Sequence, residues 1–191
     1  DVQLSILPVD TICWNGSPDT LQLIAELSGN GPDGVLSWQG PGIVDTLAGL
    51  WAPDGSLAGQ DVVITATYRE AVCTFQTSTE IPVRLQPVSD FTIDSLLCLD
   101  GTAQAQWEGI ATPDLTFTWD FGPANVDPGT GPGPHTLSWP SAGFYDVSLQ
   151  VTAESCVSET SFRSVQVDAP LSETTPECNV DYTTMTLSWP A

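Results

Sequence analysis

Asp61-Val62-Val63-Ile64-Thr65-Ala66-Thr67-Tyr68 is the stretch that decides how this chain folds. Val62, Ile64, Ala66 and Tyr68 alternate with Val63, Thr65 and Thr67, the two-residue period of a strand with one face on a core and one in water. A run with the same rhythm, Tyr145-Asp146-Val147-Ser148-Leu149-Gln150-Val151-Thr152, returns in the second half. Landmarks around the two runs come in the same order. Cys13, Trp38, Trp51 and Pro53 precede the first run and Cys73 follows it; Cys98, Trp119, Trp139 and Pro140 precede the second and Cys156 follows it. A third copy opens at Cys178, with spacings of 85 positions from Cys13 to Cys98 and 80 from Cys98 to Cys178. Internal repeats of this length set the architecture, and each is long enough to bury a core of its own.

Working outward, short alternating runs bounded by Gly, Pro, Asn and Asp predict strands near 2–8, 21–27, 35–39, 47–51, 62–68 and 74–83. In the second repeat they fall near 91–97, 102–107, 115–121, 136–139, 145–152 and 158–167. No segment has helical periodicity. The expected class is all-β: two consecutive immunoglobulin-like β-sandwich domains, over 1–86 and 87–169, with the start of a third over 170–191. Trp38 and Trp119 lie 25 and 21 residues after their leading cysteines, where such a sandwich places its core tryptophan. The linkers, residues 85–89 and 168–171, are short and contain proline, which predicts a semi-rigid rod.

Arg69, Arg84 and Arg163 are the only cations against 24 acidic residues, a formal charge of -21. Such a surface repels phosphate backbones and anionic membranes, which excludes nucleic acid as a partner. It suits a hydrated surface in salty medium and favours divalent cations. No apolar run approaches the ~20 residues of a membrane-spanning helix. Cysteines at matching places in successive repeats, with no C-x-x-C pair, point to disulfides and an extracellular, oxidising compartment.

The second repeat resembles a PKD-like domain through Trp119-Asp120-Phe121-Gly122 and Trp139-Pro140-Ser141-Ala142-Gly143-Phe144-Tyr145-Asp146-Val147-Ser148-Leu149-Gln150-Val151. The family's usual Asp-Gly after the first string is replaced by Pro123-Ala124-Asn125, and the loop 129–134 is similar to the variant in large cell-surface proteins of Bacteroidota. The first repeat is similar to Ig-like modules of the same proteins, through Thr11-Ile12-Cys13, Trp38-Gln39-Gly40-Pro41-Gly42 and Trp51-Ala52-Pro53. Cys178 to Ala191, with Thr183-Thr184-Met185-Thr186-Leu187-Ser188-Trp189, resembles the opening of a fibronectin type III domain. Together these resemblances imply a long exported adhesin or fibre delivered by type IX secretion.

Two pairings of the cysteines stay open. Pairing within each repeat gives Cys13–Cys73 and Cys98–Cys156. In a standard sandwich, however, those sites lie about 20 Å apart at opposite ends, beyond the ~7 Å that a disulfide allows between Cα atoms. The other scheme staples neighbours, Cys13 to Cys156, with Cys73 bonded to a preceding module and Cys98 to a following one. Cys178 then has its partner outside this chain.

Other motifs have plainer readings beside the chemical ones. Asp120-Phe121-Gly122 spells a kinase metal-binding triplet but stands in a chain without lysine, and reads as a strand end. His135, the only histidine, is expected in a loop or at an edge. Asp90, Asp168 and Glu173 flank the linkers and could brace modules through calcium, although no loop has an ordered ligand spacing. Asp-Thr or Asp-Ser strings at Thr11, Thr20, Thr46 and Ser95 match an O-glycosylation pattern of Bacteroidota and equally match turn chemistry. Asn15-Gly16-Ser17 matches an N-glycan acceptor, with Pro18 directly after it. Trp14 and Trp107 flank turns and are candidates for stacking on a sugar, against core or edge packing.

No catalytic constellation or cofactor motif emerges, so the expected function is structural. The chain reads as tandem modules of an extracellular surface fibre or adhesin, held by Cys13, Cys73, Cys98 and Cys156 and contacting neighbouring modules or further copies in a filament. The alternatives are modules that bind carbohydrate or a cell-surface protein, and accessory domains of a secreted hydrolase.

Overall fold

The computed structural model describes residues 3–17, 19–29, 34–112 and 114–169, and the backbone of 177–181 and 184–188. The chain forms two compact units, one of Asp1–Phe91, Trp107–Trp119 and Leu149–Ser161, the other of Thr92–Gln106, Asp120–Ser148 and Phe162–Ala191. Apart from one 3-10 turn at Gly55–Leu57, every regular element among the described residues is a strand.

The first unit begins with β1 (Gln3–Ile6), β2 (Ile12–Trp14), β3 (Leu21–Gln22), β4 (Ala25–Ser28), β5 (Val35–Gln39), β6 (Ile43–Asp45), β7 (Leu50–Trp51), β8 (Gln60–Glu70) and β9 (Cys73–Leu85). The alternating run that opened the sequence reading lies inside β8, whose register with β9 runs unbroken from Gln60↔Val83 to Glu70↔Cys73. One sheet has the order β2-β9-β8-β5 and another the order β3-β7-β6, while β1 pairs with β4. Inward residues of the first sheet (Trp38, Val62, Ile64, Ala66, Ile81 and Val83) meet Leu23, Trp51 and Leu57 in one buried cluster. Trp38 is 1% exposed, the core position its spacing predicts.

Two expected strands of this unit are broken, each by a local hydrogen-bonding choice. Residues 21–27 change sheets midway: Leu21–Gln22 pair with β7 and Ala25–Ser28 with β1. Between them Leu23 N–H reaches the Gly49 carbonyl and the Ile24 carbonyl accepts from Leu7, both at 2.9 Å. The strand expected over 47–51 begins only at Leu50, because Asp45 turns the chain first. Its carboxylate accepts from Leu47 N–H at 2.9 Å and Ala48 N–H at 2.8 Å, and its carbonyl accepts from Gly49 N–H. Asp-Thr-Leu is therefore turn chemistry at this site.

The later strands are β10 (Phe91–Ile93), β11 (Leu96–Cys98), β12 (Ala103–Trp107), β13 (Leu115–Asp120), β14 (Asn125–Asp127), β15 (His135–Ser138), β16 (Gly143–Ala153), β17 (Cys156–Val157) and β18 (Ser161–Asp168). They form one sheet of order β10-β12-β15-β14 and another of order β11-β18-β16-β13, with β17 on β16. The strand expected over 91–97 splits at Asp94-Ser95: the Asp94 carboxylate accepts from Gln104 N–H at 3.0 Å and the Ser95 carbonyl from Gln166 N–H at 2.8 Å. Backbone of β19 (Glu177–Asp181) and β20 (Thr184–Ser188) forms an antiparallel pair, with Thr183 and Trp189 outside the described residues.

In the second unit Trp139 is buried and stacks on Tyr145, ring centroids 5.6 Å apart. The Tyr145 hydroxyl donates to the Ser141 carbonyl at 2.8 Å, so the Trp-Pro-Ser-Ala-Gly-Phe-Tyr string ties its own turn shut. His135 is not at an edge, as expected, but is fully buried at the start of β15. Its ring nitrogens face the carbonyls of Pro128 and Gly131, and its ring meets Phe121 edge-on at 5.3 Å. The loop backbone thus supplies the polar partners that allow a histidine inside.

Candidate functional site

The chemistry that stands out is a covalent clamp inside the first unit. Cys13 lies on β2, which runs parallel to β9 with Cys13 opposite Arg84. Cys156 is fully buried and is the first residue after the two-residue turn Glu154-Ser155 that joins β16 to β17. The two cysteines form a disulfide with Cα atoms 5.5 Å apart, across 143 positions of sequence.

Polar contacts surround it. Arg84 Nη2 meets Asp61 Oδ1 and Arg84 Nε meets Glu154 Oε2, both at 2.6 Å. Those carboxylates, Asp61 first, push the guanidinium above its ordinary range. Gln86 donates its side-chain amide to the Val157 carbonyl and its backbone N–H to the Trp14 carbonyl, at 2.8 and 2.9 Å. Ser89 Oγ donates to the Glu159 carbonyl at 2.7 Å and lies 2.9 Å from Ser161 Oγ. Ser158 turns inward, its hydroxyl accepting from Val151 N–H at 2.9 Å, which is why the strand expected from 158 starts at Ser161. Asn15, Gln86, Ser89, Asp90, Ser158 and Glu159 line a shallow cleft of about 420 Å³ beside the clamp.

Of the five cysteines, only Cys13 and Cys156 are brought together among the described residues; Cys73 and Cys98 are exposed thiols. The pairings Cys13–Cys73 and Cys98–Cys156 do not occur, because Cys13 and Cys156 use one another. Cys178 lies on the backbone of β19. Trp119 is half-buried rather than enclosed, packing edge-on against buried Phe91 at 5.0 Å. The enclosed tryptophan nearby is Trp107, 6% exposed, whose indole N–H donates to the Val88 carbonyl at 2.8 Å and whose ring meets Phe117 edge-on. Trp107 therefore offers no face to a sugar. Trp14 is half-buried and lines a cleft of about 240 Å³ with Thr11, Cys13, Asp19 and Pro53.

Among the expected calcium ligands, Asp90 and Asp168 are exposed and belong to different units, and Glu173 lies outside the described residues. No group of three or more His, Cys, Asp or Glu that could hold a metal is present among the described residues. Asp120 ends β13 and caps its own turn, accepting from Gly122 N–H at 2.9 Å, as a strand end does. Thr20, Thr46 and Ser95 are exposed hydroxyls and Thr11 is half-buried. Sequence reasoning missed Arg84 and Glu154; one of three arginines among 24 acids was the signal that could have found them.

No protein-family model matches the sequence, and no curated protein matches it. Among solved structures, the chain is similar to extracellular domains 3–5 of Drosophila OTK at 14% identity, covering 88% of this chain and 62% of that one, TM-score 0.55. Immunoglobulin domains 1–4 of Sidekick-1 are similar at 14% identity, covering 87% of this chain and 48% of that one, TM-score 0.49. An I-band fragment of titin is similar at 13% identity, covering 89% of this chain and 66% of that one, TM-score 0.44. The first likeness establishes consecutive immunoglobulin-like sandwiches and nothing about activity. The chain spans less than two thirds of the OTK structure. No helix among the described residues is long and apolar enough to cross a membrane.

Proposed function

We propose that this chain is a set of tension-bearing repeat modules from an extracellular surface fibre or adhesin. The observation that carries the reading is the Cys13–Cys156 bond, which joins the leading cysteine of one sequence repeat to the trailing cysteine of the next. A bond with that connectivity removes a long stretch of chain from the length that force can draw out. Persistent disulfides fit an oxidising compartment. The 24 carboxylates would keep a long fibre hydrated and separate. Export by the type IX route, as in the surface proteins of Bacteroidota that the sequence resembles, completes the reading.

Single-molecule stretching tests it. With the bond intact, the 143 positions it spans are withheld, so the oxidised chain should extend about 500 Å less than the reduced chain or a Cys13→Ser, Cys156→Ser variant. Equal extension of both forms would remove the mechanical role.

A second reading, adhesion through contact, is favoured by two exposed aromatics of the second unit, Phe144 at 77% and Phe162 at 63%. Saturable glycan or protein binding lost in Phe144→Ala or Phe162→Ala would support it over the stalk.

A further inference from the structure

Among the cysteines whose side chains are described, each half of the clamp occurs twice, and one pair is bonded. Cys13 lies on β2, parallel to β9 and opposite Arg84; Cys98 lies on β11, parallel to β18 and opposite Asp168. Cys156 follows a two-residue turn after Ala153, and Cys73 follows a two-residue turn after Glu70, in the same hairpin register. The first turn residues even share a left-handed backbone, φ 50° at Glu154 and 47° at Ala71. The bonded pair thus shows what these two positions do when they meet. Cys73 and Cys98 are one of each kind, both exposed, and Val72 in the Cys73 turn is 97% exposed.

We propose that Cys73 and Cys98 are open ends of the same clamp, each bonded to the complementary cysteine of another repeat module. Cys98 takes a hairpin-turn cysteine, and Cys73 takes a cysteine on a parallel edge strand. The inference rests on the reading of the chain as end-to-end repeats. The partner module is supplied either by the same polypeptide or by a second copy, and the chemistry is the same for both. A low-molecular-weight disulfide such as oxidised glutathione is the oxidant. The Cys98 thiolate attacks one of its sulfurs and releases one thiol; the hairpin thiolate then attacks the Cys98 sulfur and releases the second. One inter-module S–S bond forms, the oxidant's S–S bond breaks, and its two sulfurs leave as thiols carrying the two protons and two electrons.

Charge adds selectivity. At the bonded clamp Arg84 holds Glu154, two residues before Cys156. At Cys98 the register position of Arg84 is taken by Asp168, which disfavours an acidic residue at the corresponding place of the incoming hairpin. The Cys73 hairpin has Ala71 there, so Cys98 of one copy and Cys73 of another are compatible.

The test has two arms. In the first, the 191-residue chain carrying Cys178→Ser is oxidised with glutathione disulfide at about 100 µM protein and mapped by peptide mass without reduction. Cys73–Cys98 links between copies should exceed Cys73–Cys73 and Cys98–Cys98 links together by more than tenfold. A statistical mixture, or a Cys73–Cys98 bond within one copy, overturns the proposal. In the second arm the native full-length polypeptide is mapped the same way. Cys98 bonded to a hairpin cysteine of the same polypeptide other than Cys73 identifies that source, and the same bond to a separate copy identifies the other; free thiols at Cys73 and Cys98, or a bond between them within one copy, overturn the proposal. The Cys13–Cys156 peptide is the internal control. Its absence sinks the stalk reading itself, whereas its presence beside two free thiols sinks only this inference.

Discussion

Arg84 stands opposite Cys13 in the strand register, and its Nε lies 2.6 Å from Glu154, two residues before Cys156. An ion pair and a disulfide therefore tie the same two segments together, and their energies differ greatly. Both carboxylate partners of Arg84 are more than half exposed, so each pair contributes only ~0.2–1 kcal/mol. The disulfide, restraining a 143-position separation in the unfolded chain, contributes about 5 kcal/mol in the chain-entropy account.

Replacing Cys13 and Cys156 together by serine should lower the unfolding free energy of the oxidised protein by several kcal/mol. Arg84→Ala should lower it by less than about 2 kcal/mol. Denaturant melts of the two variants check the order, and a reversed order would show that the bond acts mainly through strain in the folded state.

Trp51 and Trp139 are both buried, yet their indole N–H groups differ. Trp51 donates to the Pro41 carbonyl at 2.8 Å, whereas the Trp139 N–H has no hydrogen-bond partner among the described residues. Trp51→Phe loses a hydrogen bond as well as volume; Trp139→Phe loses volume and relieves a buried, unpaired donor. Thermal melts should show Trp51→Phe the more destabilising by at least ~1 kcal/mol.

Gly49 closes the Asp45 turn with φ +70°, and a Cβ there would sit 2.5 Å from the Trp38 indole nitrogen. Gly49→Ala combines left-handed strain with a clash against a buried core tryptophan. A loss of more than about 2 kcal/mol is expected by chemical denaturation.

Asp45 is held below the ordinary carboxylate range by backbone N–H groups, that of Ala48 first and that of Leu47 second. The folded state therefore keeps this charge to lower pH than the unfolded chain does. Its stabilising effect is complete above the unfolded value of about 4 and disappears as pH falls through the lowered folded value. Comparing Asp45→Asn with the unaltered protein, the difference in melting temperature should be largest near neutral pH and should vanish in strong acid. A pH-independent difference would mean that the carboxylate acts through shape alone.

Where intrinsic preference and burial agree, the sequence reading and the structure coincide. The strand at 35–39 matches β5 residue for residue, and the run at 62–68 lies within β8. Departures come where a polar side chain diverts the backbone, at Asp45, at Asp94 and at Ser158, and where the backbone itself changes sheets, at Leu23 and Ile24. Ile12–Trp14 was not expected as a strand at all, because a three-residue parallel edge strand has no room to show a period.

Residue order by itself determined that the chain is all-β, that its landmarks repeat, and that Trp38 belongs in a core. Those properties follow from local alternation and spacing, which a linear string carries in full. Which cysteines meet, which tryptophan is enclosed and what surrounds His135 were decided only in three dimensions. Cys13 finds Cys156 across 143 positions and Trp107 donates to Val88 across 19, while the carbonyls that close over the imidazole, only seven and four residues before His135, are brought there by the course of a loop that carries no period. Period two constrains the face a side chain takes, but not the partner it finds there.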